Sequence, residues 1–249
     1  MMKAFVSGRR LWLTLGVLLA VAVMIRLGFW QLDRLAQRRA ANAQMREQLS
    51  APALDLNADI PFDQLTEMEY RSVTVTGTFD FTQQVALKNQ VNGDRIGFDL
   101  LTPLKISGSD RSVLVERGWI PYEDAQPSQW QKYAESGTVT VKGIIHLSQS
   151  QPGFGGVTDP TLAPGQSRLE TWAYVNLDRI RLQMNFDLLP IYIQQAPDPS
   201  WTGLPARSTF TPDLSEGPHL SYAIQWFIFS AVLSIGYPIL VWRRLKKTN

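Results

Sequence analysis

Few residues in this 249-residue chain suggest chemistry, and the most suggestive lie near its C-terminal end. His219, Tyr222 and Trp226 stand at i, i+3 and i+7, on one face of a helix. At a helix N-terminus the dipole favours a neutral imidazole over an imidazolium. A neutral imidazole is what haem iron takes as an axial histidine, and neighbouring aromatic and apolar side chains can cover a macrocycle. An interfacial histidine in an aromatic belt has the same residues, so the pattern alone leaves both readings open.

A second group lies near the other end, where Arg26 and Arg34 bracket Trp30 and Gln31. A guanidinium matches a carboxylate bidentately and can hold a haem propionate. It can equally snorkel to water or lipid phosphate. Trp30 and Arg34, one helical turn apart, can also form a contact face for another membrane subunit. A third group, Arg117-Gly118-Trp119-Ile120-Pro121, ends a strand. Glycine before tryptophan suggests a close backbone approach or bulge, in a packed strand end or a partner contact. His146, the other histidine, follows apolar residues in a strand pattern and reads as structural.

The remaining inventory narrows the function. With no cysteine, disulfides, thiolate metal sites, iron–sulfur clusters and covalent c-type haem attachment are excluded. The six methionines are scattered, which argues against a copper chaperone. A net charge of +2 with basic residues at the ends gives no nucleic-acid stripe. There is no Gly-x-Ser-x-Gly elbow, P-loop, dinucleotide fingerprint or His-Glu-x-x-His, and Gly153-Phe154-Gly155-Gly156 lacks the strand-to-helix setting of a phosphate loop. The chain is not expected to be an enzyme.

The elements that must position these residues begin with the tail. Tyr222 to Trp242 carries no charge, and Arg243-Arg244-Leu245-Lys246-Lys247 follows. As a helix that run is about 30 Å long, one hydrocarbon core, and the basic flank points to a cytoplasmic C-terminus. Leu11 to Trp30 is a second apolar run, preceded by Lys3, Arg9 and Arg10. With Ala20-Val21-Ala22 it has features of a cleavable signal peptide, but apolar residues continue past that point, so an uncleaved anchor is the better reading. The mean hydropathy of −0.10 averages these apolar ends with a polar middle.

Between them, residues 31–49 continue the first helix. Strands are expected over 70–79, 85–91, 95–104, 112–120, 138–147, 171–175 and 190–196, with Asn92-Gly93 as a hairpin turn. Short helices are expected over 123–136 and 178–185, a long loop over 151–168, and a Pro-rich approach to the last helix over 198–218. The expected fold is a membrane protein with two transmembrane helices flanking one mostly-β (α+β) extracytoplasmic domain. Its parts are a cytoplasmic N-terminus (1–10), helix one (11–32), the external domain (33–218), helix two (219–242) and a cytoplasmic basic tail (243–249).

Four blocks carry a resemblance across nearly the whole chain. Leu27-Gly-Phe-Trp-Gln-Leu-Asp-Arg34, Gly97-Phe-Asp-Leu-Leu-Thr-Pro-Leu104, Val113-Leu-Val-Glu-Arg-Gly-Trp-Ile-Pro121 and His219-Leu-Ser-Tyr-Ala-Ile-Gln-Trp226 resemble, in order, the signature blocks of the Surfeit locus 1 family of cytochrome c oxidase assembly proteins. The chain departs from the family pattern at Glu116, where an Asn-like residue is expected, and at Gln37-Arg38, where an aromatic–basic pair is usual. The resemblance implies a haem chaperone that binds haem a transiently at the membrane surface and aids its insertion into the large catalytic subunit of a haem–copper oxidase.

By position, His219 matches the family's proposed axial ligand. Tyr222, Trp226 and Arg34 join it as cofactor-binding candidates, and Trp30, Gln31, Arg117 and Trp119 are partner-contact candidates. Haem a synthase and membrane lipid are further expected partners, nucleic acid is not, and a homo-oligomer is compatible with the sequence. The expected location is a bacterial inner membrane with the central domain periplasmic, the alternative being the mitochondrial inner membrane. The rival functions are a permanently bound accessory subunit of the oxidase and an enzyme acting on haem or lipid.

Overall fold

The computed structural model describes residues 8–58, 62–153, 155–162 and 165–246. Lys3, Phe154 and Lys247, which figure in the readings above, lie outside them. The chain forms two compact units, residues 1–44 with 213–249, and residues 45–212.

The first unit is built on two long helices, α1 (Arg9–Ser50), whose last turns belong to the second unit, and α3 (His219–Lys246). Both are long and apolar enough to cross a membrane. The continuation of α1 through residues 31–49 follows from a stretch of good helix formers without Gly or Pro. A seam of covered residues recurs every seven positions along α1, at Thr14, Val21, Gly28, Leu35 and Asn42. On α3 the covered set Ala223, Trp226, Ser230, Leu233 and Tyr237 has the matching 3–4 spacing. A seven-residue repeat keeps one stripe facing a partner helix.

The two helices run antiparallel, and particular contacts fix their register. Thr14 Oγ1 lies 2.6 Å from the Tyr237 hydroxyl. Gly28 has no room for a side chain, since a Cβ there would stand 2.7 Å from the Phe227 ring. Phe29 meets Phe227 edge-on at 5.4 Å. Beyond the apolar run, Asn42 Nδ2 donates to the Leu214 carbonyl at 2.8 Å, Arg38 pairs with Asp213 at 2.8 Å, and Arg39 grips Glu216 with two bonds of 2.9 Å.

The second unit is mostly β. Its strands are β1 (Leu54–Asp55), β2 (Ser72–Phe79), β3 (Val85–Asn92), β4 (Arg95–Ile106), β5 (Ser112–Pro121), β6 (Thr138–Leu147), β7 (Thr171–Trp172) and β8 (Leu188–Gln195). The sheet order is β1-β2-β6-β8-β5-β4-β3-β7, and a further β2–β4 pairing closes β2, β6, β8, β5 and β4 into a five-stranded ring. Alternating residues such as Val73, Val75, Val113, Val115, Ile191 and Ile193 fill its centre. Fully burying a side chain of this kind is worth about 1.5–3 kcal/mol. Leu101, Leu114, Trp172 and Ile180 belong to a second cluster, to which α2 (Leu177–Ile180) contributes.

Three local expectations change. The hairpin turn is centred on Gly93-Asp94 rather than Asn92-Gly93, because Asn92 pairs with Arg95 and Gly93 takes the positive φ of +61°. The helix expected over 123–136 is two 3₁₀ turns, Tyr122–Asp124 and Pro127–Tyr133, separated where Pro127 breaks the run. The strand expected over 171–175 is only the two-residue β7.

Candidate ligand site on the helix pair

His219 is the first residue of α3, and its partner comes from α1: Nδ1 lies 2.8 Å from Gln31 Oε1. A carboxamide oxygen only accepts, so Nδ1 is the donor of this bond, which in a neutral ring leaves the lone pair on Nε2. Gly217 bounds the other edge of the ring. Its φ of +67° suits glycine, and a Cβ there would stand 3.5 Å from His219 Nε2, in contact with that edge of the ring.

Tyr222 is exposed (46%), while Trp226 is half-buried and meets Phe229 edge-on at 6.3 Å. Trp30 is exposed, with the Arg34 guanidinium 5.5 Å over its ring, and Arg34 Nη1 donates to Gln37 Oε1 at 3.0 Å. The structure therefore joins His219 to Gln31, and joins Trp30 to Arg34. Gln31, a partner-contact candidate, is directed to the histidine.

Arg117 and Trp119 belong to the second unit, and they are interior residues, not a surface for a partner. The pairing of β4 and β5 shifts between Leu100 and Leu101, leaving Arg117 as the extra residue of a bulge. The bulge turns its side chain inward to 0% exposure. There Nη2 donates to the Tyr133 carbonyl at 2.5 Å and to Glu135 at 2.8 Å, and Nη1 to Gln84 at 3.3 Å. The guanidinium sits 5.0 Å from the rings of both Phe79 and Phe81. Burial pulls its pKa below the usual arginine value, and Glu135 opposes the shift.

Gly118 has a φ of +125°, and a Cβ there would stand 2.5 Å from the Ala206 carbonyl. That space lets the strap after β8 cross β5, with Trp119 and Ala206 exchanging backbone bonds of 2.9 and 2.8 Å. The Trp119 indole donates to the Gln90 carbonyl and lies against Gly97, where a Cβ would come within 2.6 Å of its Nε1. Gly97 of one sequence block thus makes room for Trp119 of another, while Gly118 makes room for the strap at Ala206.

Sequence reasoning did not connect Asp99, Glu116, His146 and Tyr192, ionisable residues on β4, β5, β6 and β8. Burial pushes the Asp99 carboxyl up to about 6, and burial with Asp99 nearby pushes Glu116 up to about 8. Burial also raises Tyr192 and lowers His146, whose Nε2 lies 3.1 Å from Gln194 Oε1. His146 packs between Tyr192, Tyr70 and Phe210, the structural role expected of it. Protonated, Glu116 presents a polar, uncharged group on β5.

Two long apolar helices flanking a closed β domain, with a histidine at the start of the second helix, define a class of protein with paired terminal helices and a β-rich centre. The particular family is shown by comparison: residues 18–231 match the model of the SURF1 family, and the chain belongs to that family. It is 29% identical to a SURF1-like protein of Monosiga brevicollis, over 86% of this chain and 82% of the relative. It is 28% identical to a SURF1-like protein of Rickettsia bellii, covering 90% and 89%. It is 25% identical to Surfeit locus protein 1 of Rattus norvegicus, covering 86% and 70%.

Proposed function

We propose that this chain is a membrane-anchored assembly factor for a haem–copper oxidase, holding haem a at the bilayer surface through His219 for delivery to the large catalytic subunit. The observation that carries this reading is the 2.8 Å pairing of His219 Nδ1 with Gln31. Metal-binding histidines commonly direct their second ring nitrogen to a fixed acceptor, which sets the tautomer and the ring orientation. Gln31 supplies that acceptor, and glycine at 217 adds no side-chain atom on the Nε2 side of the ring. The residues present therefore fit a group needing one axial imidazole. Bound haem would supply the redox-active iron that the receiving subunit requires.

The chain's own tasks are to orient and to release. Exposed Tyr222, with Trp226 on the same helix, offers aromatic surface beside the imidazole. The exposed Arg34, stacked on Trp30, suits a propionate or a partner carboxylate. A single axial ligand favours handover, since a second strong ligand would trap the group. Crossing of the membrane by both helices is supported by their length and composition. The basic residues Arg243, Arg244 and Lys246 closing α3 support cytoplasmic ends and an external β domain, in a bacterial inner membrane.

The test is the absorption spectrum of the full chain purified from cells that make haem a, beside His219→Ala. A haem spectrum lost in a folded, membrane-inserted variant supports the reading. Equal spectra remove His219 as the ligand. Absence of haem from both, with stable co-purification of the active oxidase, replaces the chaperone with an accessory subunit.

A further inference from the structure

The second unit contains a cleft of about 500 Å³ beside the end of β8, lined among others by Lys142, Gln195, Asp198 and Arg207. Arg207 borders the cleft although its side chain is only 6% exposed. Its Nη2 donates to Glu135 Oε1 at 3.1 Å, and the same oxygen already accepts from Arg117 at 2.8 Å. Two buried guanidinium groups therefore share one carboxylate oxygen. With its carboxamide oxygen turned toward Arg207, Gln195 accepts from Nη1 and Nη2 at 3.3 Å, which solvates the charge without neutralising it. Arg207 lies 4.4 Å over the Trp201 ring, and its Nε has no hydrogen-bond partner among the described residues.

The other charges at the cleft do not restore the balance. Lys142 is exposed on β6, where its backbone carbonyl holds the Ala196 amide at 2.8 Å and fixes the cleft wall. Asp198 Oδ1 is turned back on its own loop, accepting from the Ser200 amide at 2.8 Å and hydroxyl at 2.7 Å. Counting the buried network behind the cleft, three cations, Arg117, Arg207 and Lys142, stand against two carboxylates, Glu135 and Asp198, of which Arg207, Lys142 and Asp198 line the cleft itself. A desolvated charge without a full counter-charge is costly, so an anion entering the cleft would be stabilised. A planar guanidinium and an exposed ammonium among the lining residues match the oxygens of a phosphate, one as a fork and one as a point charge. The cleft falls within the size range of small-molecule sites and has room for a substituent on the phosphate.

We propose that this cleft binds a phosphate group, with Arg207 as the buried fork and Lys142 as the second cation. The phosphate can belong to a free phosphate or to an anionic lipid headgroup, and the two sources are separated by experiment. The full chain in uncharged detergent is titrated calorimetrically with inorganic phosphate at constant ionic strength. It is then placed in nanodiscs of phosphatidylcholine with and without phosphatidylglycerol, with thermal unfolding as the readout. Lys142→Gln and Arg207→Lys are carried through both arms.

Saturable phosphate binding, weakened roughly tenfold or more in Lys142→Gln, supports the site, in line with the loss of a charge-assisted hydrogen bond. Stabilisation seen only with phosphatidylglycerol, and lost in Lys142→Gln, supports the site and makes the lipid headgroup its source. Lys142→Gln breaks no internal bond of its own side chain, so the outcome stands even where Arg207→Lys fails to fold. No saturable binding in either arm, or binding that Lys142→Gln leaves unchanged, overturns the proposal.

Discussion

The carboxamide of Gln31 and the imidazole of His219 meet at 2.8 Å although 188 positions separate them in the chain. The pairing depends on α1 and α3 keeping one register, which the 2.6 Å contact of Thr14 with Tyr237 and the close approach of Gly28 to Phe227 help to set. On the haem reading, Gln31 is a positioning residue. Gln31→Leu removes the acceptor and frees both tautomers, and it is expected to weaken haem retention about 10–100-fold, the usual cost of losing such a partner. An absorption titration with added haem measures it. Unchanged retention in a folded variant would show that Gln31 does not govern His219.

Arg117 and Trp30 should separate cleanly in a stability assay. Arg117→Ala strips the bulge of its guanidinium and leaves Glu135, Gln84 and the Tyr133 carbonyl short of a donor. A loss of about 3–5 kcal/mol is expected for breaking a buried pair of this kind. Trp30→Ala, at an exposed position, is expected to move the unfolding transition little and, on the assembly-factor reading, to weaken capture by the oxidase subunit. Chemical unfolding and co-purification, measured on both variants, give the comparison. Equal stability of Arg117→Ala and the parent would remove the structural role.

Gly118→Ala combines a φ of +125° with a Cβ 2.5 Å from the Ala206 carbonyl. The expected cost exceeds about 1 kcal/mol, because an L side chain is strained there and the strap must shift as well. Thermal unfolding reports the cost, and hydrogen exchange at the Trp119 and Ala206 amides locates it. Protection of those amides equal to the parent would argue against the strap crossing as the reason for this glycine.

Stability is expected to fall as pH rises from about 5 to 8. Burial raises Asp99 to about 6 and Glu116 to about 8, so in that window the folded chain binds more protons than the unfolded chain. Their contribution is complete below the ordinary carboxyl range and is lost as pH passes the folded values. His146 acts in the opposite sense: its lowered value means that stability is lost as pH falls below the ordinary histidine range. Glu116→Gln separates the two effects, because it removes the larger carboxyl shift and leaves His146 in place. Denaturation midpoints across the window should flatten in the variant, and an unchanged slope would sink the assignment.

Much of the architecture is written locally. A charge-free run of helical length, a tract of helix formers without Gly or Pro, and β-branched alternation each fix an element from its own neighbours, so both long helices and the main strands are legible in the sequence. The four blocks likewise make the family legible, because their order along the chain is itself the signal. His219 was visible as a candidate since a helix start and aromatic neighbours flank it in the chain.

The sequence could not decide where the chemistry-bearing side chains point. Arg117 looks like any arginine at a strand end until a one-residue shift between β4 and β5 turns it inward onto Glu135. Gln31 looks like one more polar residue at a helix boundary until α3 brings His219 beside it. Arg207 and Glu135 carried no signal at all, since their pairing and the cleft beside them arise from segments 72 positions apart. Pattern and hydropathy act over a few residues and determine the elements. Burial, register and counter-charge are properties of distant segments brought together, so only the tertiary structure decided which side chains hold the fold and which remain open to a ligand.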